Sequence, residues 1–449
     1  MKPVVFVLLA LLALCSVTRA ADAVVGYYPY WVQNTYTPDD VDMHLLTHLV
    51  HAFAWPTADG DLVFPNNFLA TDLVDAAHQQ GVIVMLALGG WGQSDGFAPM
   101  AADSIARTKF AGTLLEFCLQ HDYDGVDIDW EHPANSHDRA NVSKLVRDIR
   151  AEFSKPMRPQ PLYISMAVTA GNWAGQWLDY DELSKYVDWF GCMSYDFHGA
   201  WTNHSGHNSP LYASGGDGCG SADAGIRYLT HTRGLPADKV LLGVPFYARG
   251  FLSSGLYEPS SGDGGEFSYA DVVAFMQSGW QRMWDDVALV PYLVNSERTR
   301  LISYDDTLSV RYKAEYAVEK NLHGVMIWAL GQDLLGGDQP LLRAVSAPIL
   351  RPTQVAIEKL AAPFDFSLSC SPNPFNDSAA ISFTLSISQS VTLDILDANG
   401  RIVDFLYAGE LPGGKNQFLW SARNHPSGVY LCRLKTKEFE QIINITLLR

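Results

Sequence analysis

The chain has 449 residues, with 48% hydrophobic and 18% charged residues and a formal net charge of −18 at pH 7. That length exceeds one ordinary domain but suits a barrel of roughly 250 to 400 residues plus a small module, and the apolar fraction excludes global disorder. The acidic balance leaves no basic stripe to neutralise phosphates, so it excludes nucleic acid and favours a neutral polymer or small polar ligand. Aromatic residues are abundant, at 12%; composition alone favours core packing over sugar stacking for them.

In chain order, the first element is a leader. Met1-Lys2-Pro3 precedes an apolar run over 4–14 and then Ser16-Val17-Thr18-Arg19-Ala20. A short basic start, a hydrophobic stretch and a small-residue cleavage site predict a secretory signal peptide over 1–20. The run is too short for a permanent membrane span. Leu14 stands where a lipoprotein signal at Cys15 would need a small residue.

Eight short β-prone runs follow, at 23–28, 47–54, 82–88, 125–129, 162–168, 189–195, 240–247 and 324–329. Helical patterns occupy 69–80, 105–121, 138–153, 179–187, 222–233 and 308–321. This alternation predicts an α/β protein, a (β/α)8 TIM barrel over 21–345. The long interval 251–322 reads as a small α+β insertion between the seventh and eighth strands, beside the cleft. Pro348, Pro352 and Pro363 mark a linker over 346–365. Short alternating runs then predict a small all-β, Ig-like sandwich over 366–449, with Ala398-Asn399-Gly400 as a hairpin turn.

The segment Asp124-Gly125-Val126-Asp127-Ile128-Asp129-Trp130-Glu131 stands out. Successive strand side chains alternate faces, so Asp127, Asp129 and Glu131 share one face while Val126, Ile128 and Trp130 share the other. Strands of an α/β protein are covered on both sides. Three acids on an inward face are costly unless they share protons and hydrogen bonds, and that cost points to chemistry. Asp124 has the wrong parity and is expected to start the strand.

These eight residues match the DGxDxDxE signature of glycoside hydrolase family 18, the chitinases, and other motifs extend the resemblance. Leu86-Ala87-Leu88-Gly89-Gly90-Trp91 resembles its SxGG motif, with Ala87 in place of the usual Ser. Met193-Ser194-Tyr195-Asp196 resembles its MxYD motif, and the segments from Gly243 to Arg249 and from Gly324 to Trp328 resemble its strand-seven and strand-eight signatures.

Most retaining glycosidases add a second carboxylate as nucleophile across the sugar from the acid. Here the acids lie on one strand, and the motif supplies no opposite-face partner. The resemblance implies that the substrate's own 2-acetamido oxygen attacks instead, an exception to the two-carboxylate scheme. It implies Glu131 as acid and base, Asp129 as orienter of the acetamido group, Asp127 as its proton-sharing partner, Tyr195 as donor to the acetamido oxygen and Asp196 as a contact near the cleavage point. Trp328 would floor the cleft. Tyr27, Phe53, Gly90, Trp91, Met193, Tyr247, Arg249 and Met326 would line it, with Trp31 and Trp201 as outer platforms. The loss of Ser at Ala87 would bear on the pH profile of the acids.

The implied function is hydrolysis of β-1,4-linked N-acetylglucosamine in chitin or chito-oligosaccharides, with retention and without cofactor or metal, by a monomer. An endo-β-N-acetylglucosaminidase acting on glycans or peptidoglycan is the alternative enzyme; a non-catalytic chitin-binding lectin is the alternative class, disfavoured because Glu131 is present. Asn373-Pro374-Phe375-Asn376 and Pro426-Ser427-Gly428-Val429-Tyr430 resemble the C-terminal sorting modules of bacterial type IX secretion. That implies contact with secretion or cell-surface machinery and a secreted or surface-attached bacterial protein.

The remaining signals are weaker. His198, His204 and His207 lie close together after the sixth strand, but their spacing fits no strong metal pattern and no cysteine or acid completes one, so a solvated loop is expected. The glycine-rich run 215–218 reads as a flexible loop. Five cysteines follow the leader; Cys118 and Cys192 read as buried thiols, and Cys370 with Cys432 as a pair able to bridge the last module. Asn141 and Asn203 begin sequons that matter only in a glycosylating host.

Overall fold

The computed structural model describes residues 21–350 and 368–448, apart from 159–161, 217, 386–388, 398–400, 412–413, 423–424 and 437–439. The expected signal peptide, most of the linker, the 398–400 turn and Asp217 lie outside the described residues. The chain divides into two compact units, Met1–Arg351 and Pro352–Arg449.

In the first unit, β1 (Ala23–Pro29), β2 (His48–Pro56), β4 (Ile83–Gly89), β5 (Gly125–Asp129), β6 (Tyr163–Thr169), β7 (Trp189–Met193), β8 (Val240–Pro245) and β14 (Gly324–Trp328) pair in parallel. A two-residue β3 (Leu62–Val63) hangs on the end of β2, and β2 pairs with β1 to close the barrel. Alternation sorts the side chains. Val24, Leu49, Val84, Leu86, Val126 and Ile128 pack with the surrounding helices. Val25, Tyr27, Val50, Met85, Ala87 and Met326 form a separate interior cluster. Val126 and Ile128 on the helix side force Asp127 and Asp129 inward.

The long helices have local reasons for their limits. Asp103 caps Ser104–His121 by accepting from the amides of Ile105 and Ala106, both at 2.8 Å. Asn135 caps Ser136–Phe153 in the same way. Asp122 takes the left-handed conformation that ends the first of these, with φ 56°. The helix expected at 69–80 begins at Leu73, because a polar turn bonding Phe68 to Pro65 and Ala70 to Asn67 occupies the preceding residues.

The insertion is a five-stranded antiparallel sheet plus the helix Tyr269–Gln277. Its strands are β9 (Tyr247–Phe251), β10 (Asp263–Ser268), β11 (Gln281–Asp285), β12 (Val290–Val294) and β13 (Leu301–Ser303). The sheet begins at Tyr247, because the run 240–247 does not continue as one strand: Pro245 ends β8, and the Phe246 amide turns to the Trp328 carbonyl at 2.8 Å. Lys313, fully buried on the helix Thr307–Glu319, joins the pieces. Its Nζ donates to Asp305 Oδ2 at 2.7 Å and Ser209 Oγ at 2.8 Å, and Ser209 donates on to the Ser194 carbonyl at 2.6 Å.

The second unit packs a three-stranded sheet, β15 (Ser369–Ser371), β16 (Ser378–Leu385) and β19 (Gly414–Ser421), with a four-stranded one. The latter comprises β17 (Gln389–Leu396), β18 (Ile402–Leu411), β20 (Gly428–Thr436) and β21 (Glu440–Leu447). Trp420, Phe383, Leu393, Ile395 and Leu434 fill its core. Asn373 stitches the Asn-Pro-Phe segment to the last strand, accepting from the Thr446 amide at 2.8 Å and donating to the Asn444 carbonyl at 3.0 Å. Cys370 and Cys432 lie on strands of different sheets and are thiols, not the bridge the sequence allowed. Burial, followed by the neighbouring Cys370, pushes the Cys432 thiol up to about 12. Among the described residues no helix is long and apolar enough to cross a membrane.

Replacing Lys313 by Met strands the Asp305 charge in the interior. Urea unfolding should then show a loss of about 3–5 kcal/mol. Adding Asp305→Leu should restore much of it; a single variant as stable as the parent would show that the pair contributes nothing.

Candidate active site

The acids sit at the C-terminal end of β5. Asp127 is flanked in register by Ala87 on β4 and Ser165 on β6. Ala87 offers no hydroxyl, but Ser165 Oγ donates to Asp127 Oδ1 at 2.6 Å and the Tyr27 hydroxyl donates to Oδ2 at 2.7 Å. The support expected from a Ser at 87 thus comes from the opposite neighbour strand. Burial raises the Asp127 pKa, and these two donors hold it back.

Asp129 lies buried between its neighbours. Its Oδ1 has no hydrogen-bond partner among the described residues. Burial, then the charges of Glu131 and Asp127, raise its pKa well above the usual carboxylate range. Glu131 is mostly buried, and burial followed by the Asp196 charge raises its pKa to about 7. Ser94, which no sequence motif singled out, accepts from the Glu131 amide at 3.0 Å and fixes where the chain leaves β5. His132 Nε2 lies 3.4 Å from Glu131 Oε2, and burial lowers that imidazole to about 4, so it is neutral beside the acid. Asp124 belongs elsewhere: its carboxylate takes the Val84 amide, His78 and Arg158 at the start of the strand.

The segment after β7 makes a second wall. Asp196, in the left-handed region at φ 59°, donates its amide to Asn208 Oδ1 at 3.0 Å. Asp196 Oδ1 accepts from the Tyr247 hydroxyl at 2.7 Å and from Arg249 Nε at 2.8 Å. The Arg249 guanidinium lies over Trp201 and Tyr247, 5.2 and 5.1 Å from their ring centroids. Tyr195 is half-buried with its ring 6.0 Å from Tyr247; desolvation, then the charges of Asp129, Glu131 and Asp196, raise its pKa well above the usual tyrosine value and keep it protonated.

Trp328 ends β14 and gathers the remaining aromatics. Tyr27, Phe53 and Trp31 lie 5.7, 5.6 and 6.3 Å from it, centroid to centroid. Gly90, at φ 82°, allows this, because a Cβ there would stand 2.8 Å from the Phe53 ring. Trp31, Trp91 and Trp201 are exposed, whereas Tyr27, Phe53, Tyr247 and Met326 are buried behind the surface. Met193 is half-buried and packs with this interior cluster. Trp173, exposed and edge-on to His132 at 4.8 Å, was not identified in the sequence, because its helical turn carries no motif.

The histidine loop differs from expectation. His198 and His207 are buried rather than solvated, and His207 Nε2 pairs with Asp285 Oδ2 at 3.1 Å. Long-range closure against the inserted sheet, invisible in local spacing, buries them.

Residues 23–333 match the model of Glycosyl hydrolases family 18, and residues 370–446 match the Secretion system C-terminal sorting domain. Chitinase A1 of Niallia circulans is 29% identical over 404 residues, covering 71% of this chain; the chain spans 58% of that relative's length. The crystal structure of the Ostrinia furnacalis group IV chitinase in complex with allosamidin aligns with a TM-score of 0.68 and 30% identity, covering 73% of this chain and 98% of that one. A mutant family 18 chitinase from Cycas revoluta in complex with (GlcNAc)4 aligns with a TM-score of 0.67 and 26% identity, over 72% of this chain and 98% of that one.

A pKa of about 7 for Glu131 has a thermodynamic consequence. The folded state holds this proton more tightly than the unfolded one, so stability falls as pH rises from the ordinary carboxylate range through about 7. Glu131→Gln removes that penalty. Denaturant unfolding should find the variant more stable than the parent above neutrality, by about 3 kcal/mol at most. The gap should vanish near pH 4, roughly the free carboxylate value; a gap that ignores pH would contradict the assignment.

Proposed function

The chain belongs to glycosyl hydrolases family 18, and on that premise we propose that it is a chitinase cutting β-1,4-linked N-acetylglucosamine polymers with retention, the substrate's acetamido group acting as nucleophile. The sorting domain makes it an exported bacterial protein, secreted or held at the cell surface. Chitin and chito-oligosaccharides are its proposed substrates.

The observation that carries this reading is the unpartnered, buried Asp129 Oδ1 between two further acids on one strand. An acetamido N–H brought to that atom gains a hydrogen bond the folded protein leaves unmade, so binding orients the acetamido oxygen toward C1. Tyr195, kept protonated, donates to that oxygen. Glu131, with its pKa at about 7, arrives carrying the proton that the leaving oxygen needs. Attack of the acetamido oxygen breaks the C1–O bond and forms an oxazolinium ion, whose positive charge Asp129 offsets. Glu131, now ionised, takes a proton from the water that opens this ion. Asp127 supports the exchange by sharing protons with Asp129 while Tyr27 and Ser165 hold it.

Asp196 is poorly suited to serve as an opposite-face nucleophile. Its Oδ1 is occupied by Tyr247 and Arg249, so it serves better as a fixed charge that raises the Glu131 pKa. Trp328 offers a flat apolar face for the sugar ring, and Trp31, Trp91 and Trp201 extend such faces to the surface.

Glu131→Gln should lower kcat by at least about 10³-fold while chito-oligosaccharide binding, followed by calorimetry, stays within a few-fold of the parent. Hydrolysis near the parental rate would refute the role of Glu131. Fully deacetylated chitosan should bind without being cut, and its efficient cleavage would rule out the acetamido nucleophile.

A further inference from the structure

We propose that His198, His204 and Cys219 form a zinc site that pins the loop following β7. One donor atom from each of these residues lies within 4.8 Å of the other two. The residues lie 6 and 15 positions apart in sequence and meet only because the loop folds back on itself.

Both histidines use Nδ1 on a backbone carbonyl. His198 Nδ1 lies 2.9 Å from the His207 carbonyl, and His204 Nδ1 lies 2.9 Å from the Ser205 carbonyl. A carbonyl only accepts, so each Nδ1 carries the hydrogen, and in the neutral ring the lone pair that a metal takes is then on Nε2. Backbone carbonyls that fix the tautomer in this way are the usual outer support of a metal-bound imidazole.

The surroundings are built rather than loose. His198 is buried, and Gly206 lies against its ring so closely that a Cβ would stand 2.2 Å from Cδ2. His204 is tied to the insertion by a bridge with Pro259, and the next residue donates its amide to the Glu258 carbonyl at 2.9 Å and its hydroxyl to the Gly255 carbonyl at 2.6 Å. Two rings are thus held in place, while Cys219 arrives from a glycine-flanked segment just before the helix Ala222–Arg227.

Two imidazole nitrogens and a thiolate select a borderline-soft ion and disfavour calcium and magnesium, which take oxygen ligands. A tetrahedral zinc site sets its donors about 3.4–3.7 Å apart, so binding draws the three together by about 1 Å, within the reach of half-exposed His204 and Cys219. Zinc replaces the thiol proton, which leaves to solvent; no electron moves. The result is a clamp within the segment after β7, starting two residues from Asp196, in a stretch that backbone contacts already tie to the insertion. The metal touches no reacting atom.

The test uses the full, untagged chain, stripped with a chelator and titrated with zinc against a chromophoric competitor, then loaded with cobalt(II) as a spectroscopic probe. One zinc per chain and a near-ultraviolet thiolate-to-cobalt band are expected. Cys219→Ser, a near-isosteric change at a half-exposed position, should abolish the band and weaken zinc binding about 100-fold or more. His204→Ala should weaken it similarly, and Cys370→Ser should change neither readout. Failure to bind zinc at one equivalent, or a band that survives Cys219→Ser, would overturn the proposal. A zinc site confirmed in this way would leave the catalytic reading untouched, since that reading rests on β5.

Discussion

The site depends on a cost: three carboxyl groups enclosed at the end of a single barrel strand. Val126 and Ile128 must face the helices, and strand alternation then turns Asp127 and Asp129 into the interior. Water is largely gone there, so the acids cannot all ionise, and the protein manages them by unequal support. Asp127 receives two hydroxyl donors, Asp129 receives none on Oδ1, and Glu131 keeps some exposure. These differences in environment set apart groups of the same chemical type and suit them to the proposed roles of holder, orienter and acid.

Much of the rest of the first unit serves that arrangement. Tyr27 and Ser165 come from β1 and β6 to reach one carboxylate, so barrel closure is a condition of the electrostatics. Arg249, at the start of the inserted sheet, pairs with Asp196 and holds its carboxylate in place beside Glu131. The buried Lys313–Asp305 pair anchors that sheet to the segment after β7. The proposed zinc clamp would act on the same segment.

The barrel was legible because its signals are local. Runs of apolar β-prone residues mark strands, and the parity of Asp127, Asp129 and Glu131 is fixed by the two-residue repeat. Features that need inter-strand register or loop closure were not legible. Ser165 lies across from Asp127 only once β5 and β6 are aligned, so a hydroxyl donor on the side opposite Ala87 could not be read from the motif. The burial of His198 and the approach of Cys219 depend on a fold-back around unremarkable glycines. The resemblance gives Tyr27 and Met326 as cleft lining, but not that Tyr27 is buried and donates to Asp127, which needs β1 and β5 brought together. The first sandwich strand, Ser369–Ser371, was too short to carry a period.

The central claim is that the substrate supplies the nucleophile because the strand of acids can act from one side only. The anomeric form of the first products tests it most directly. Proton NMR of chitin hexamer, recorded in the first minutes of hydrolysis before mutarotation, should show the new reducing ends in excess as the β anomer. An excess of the α anomer would mean that water attacks directly, and the acetamido mechanism would be contradicted.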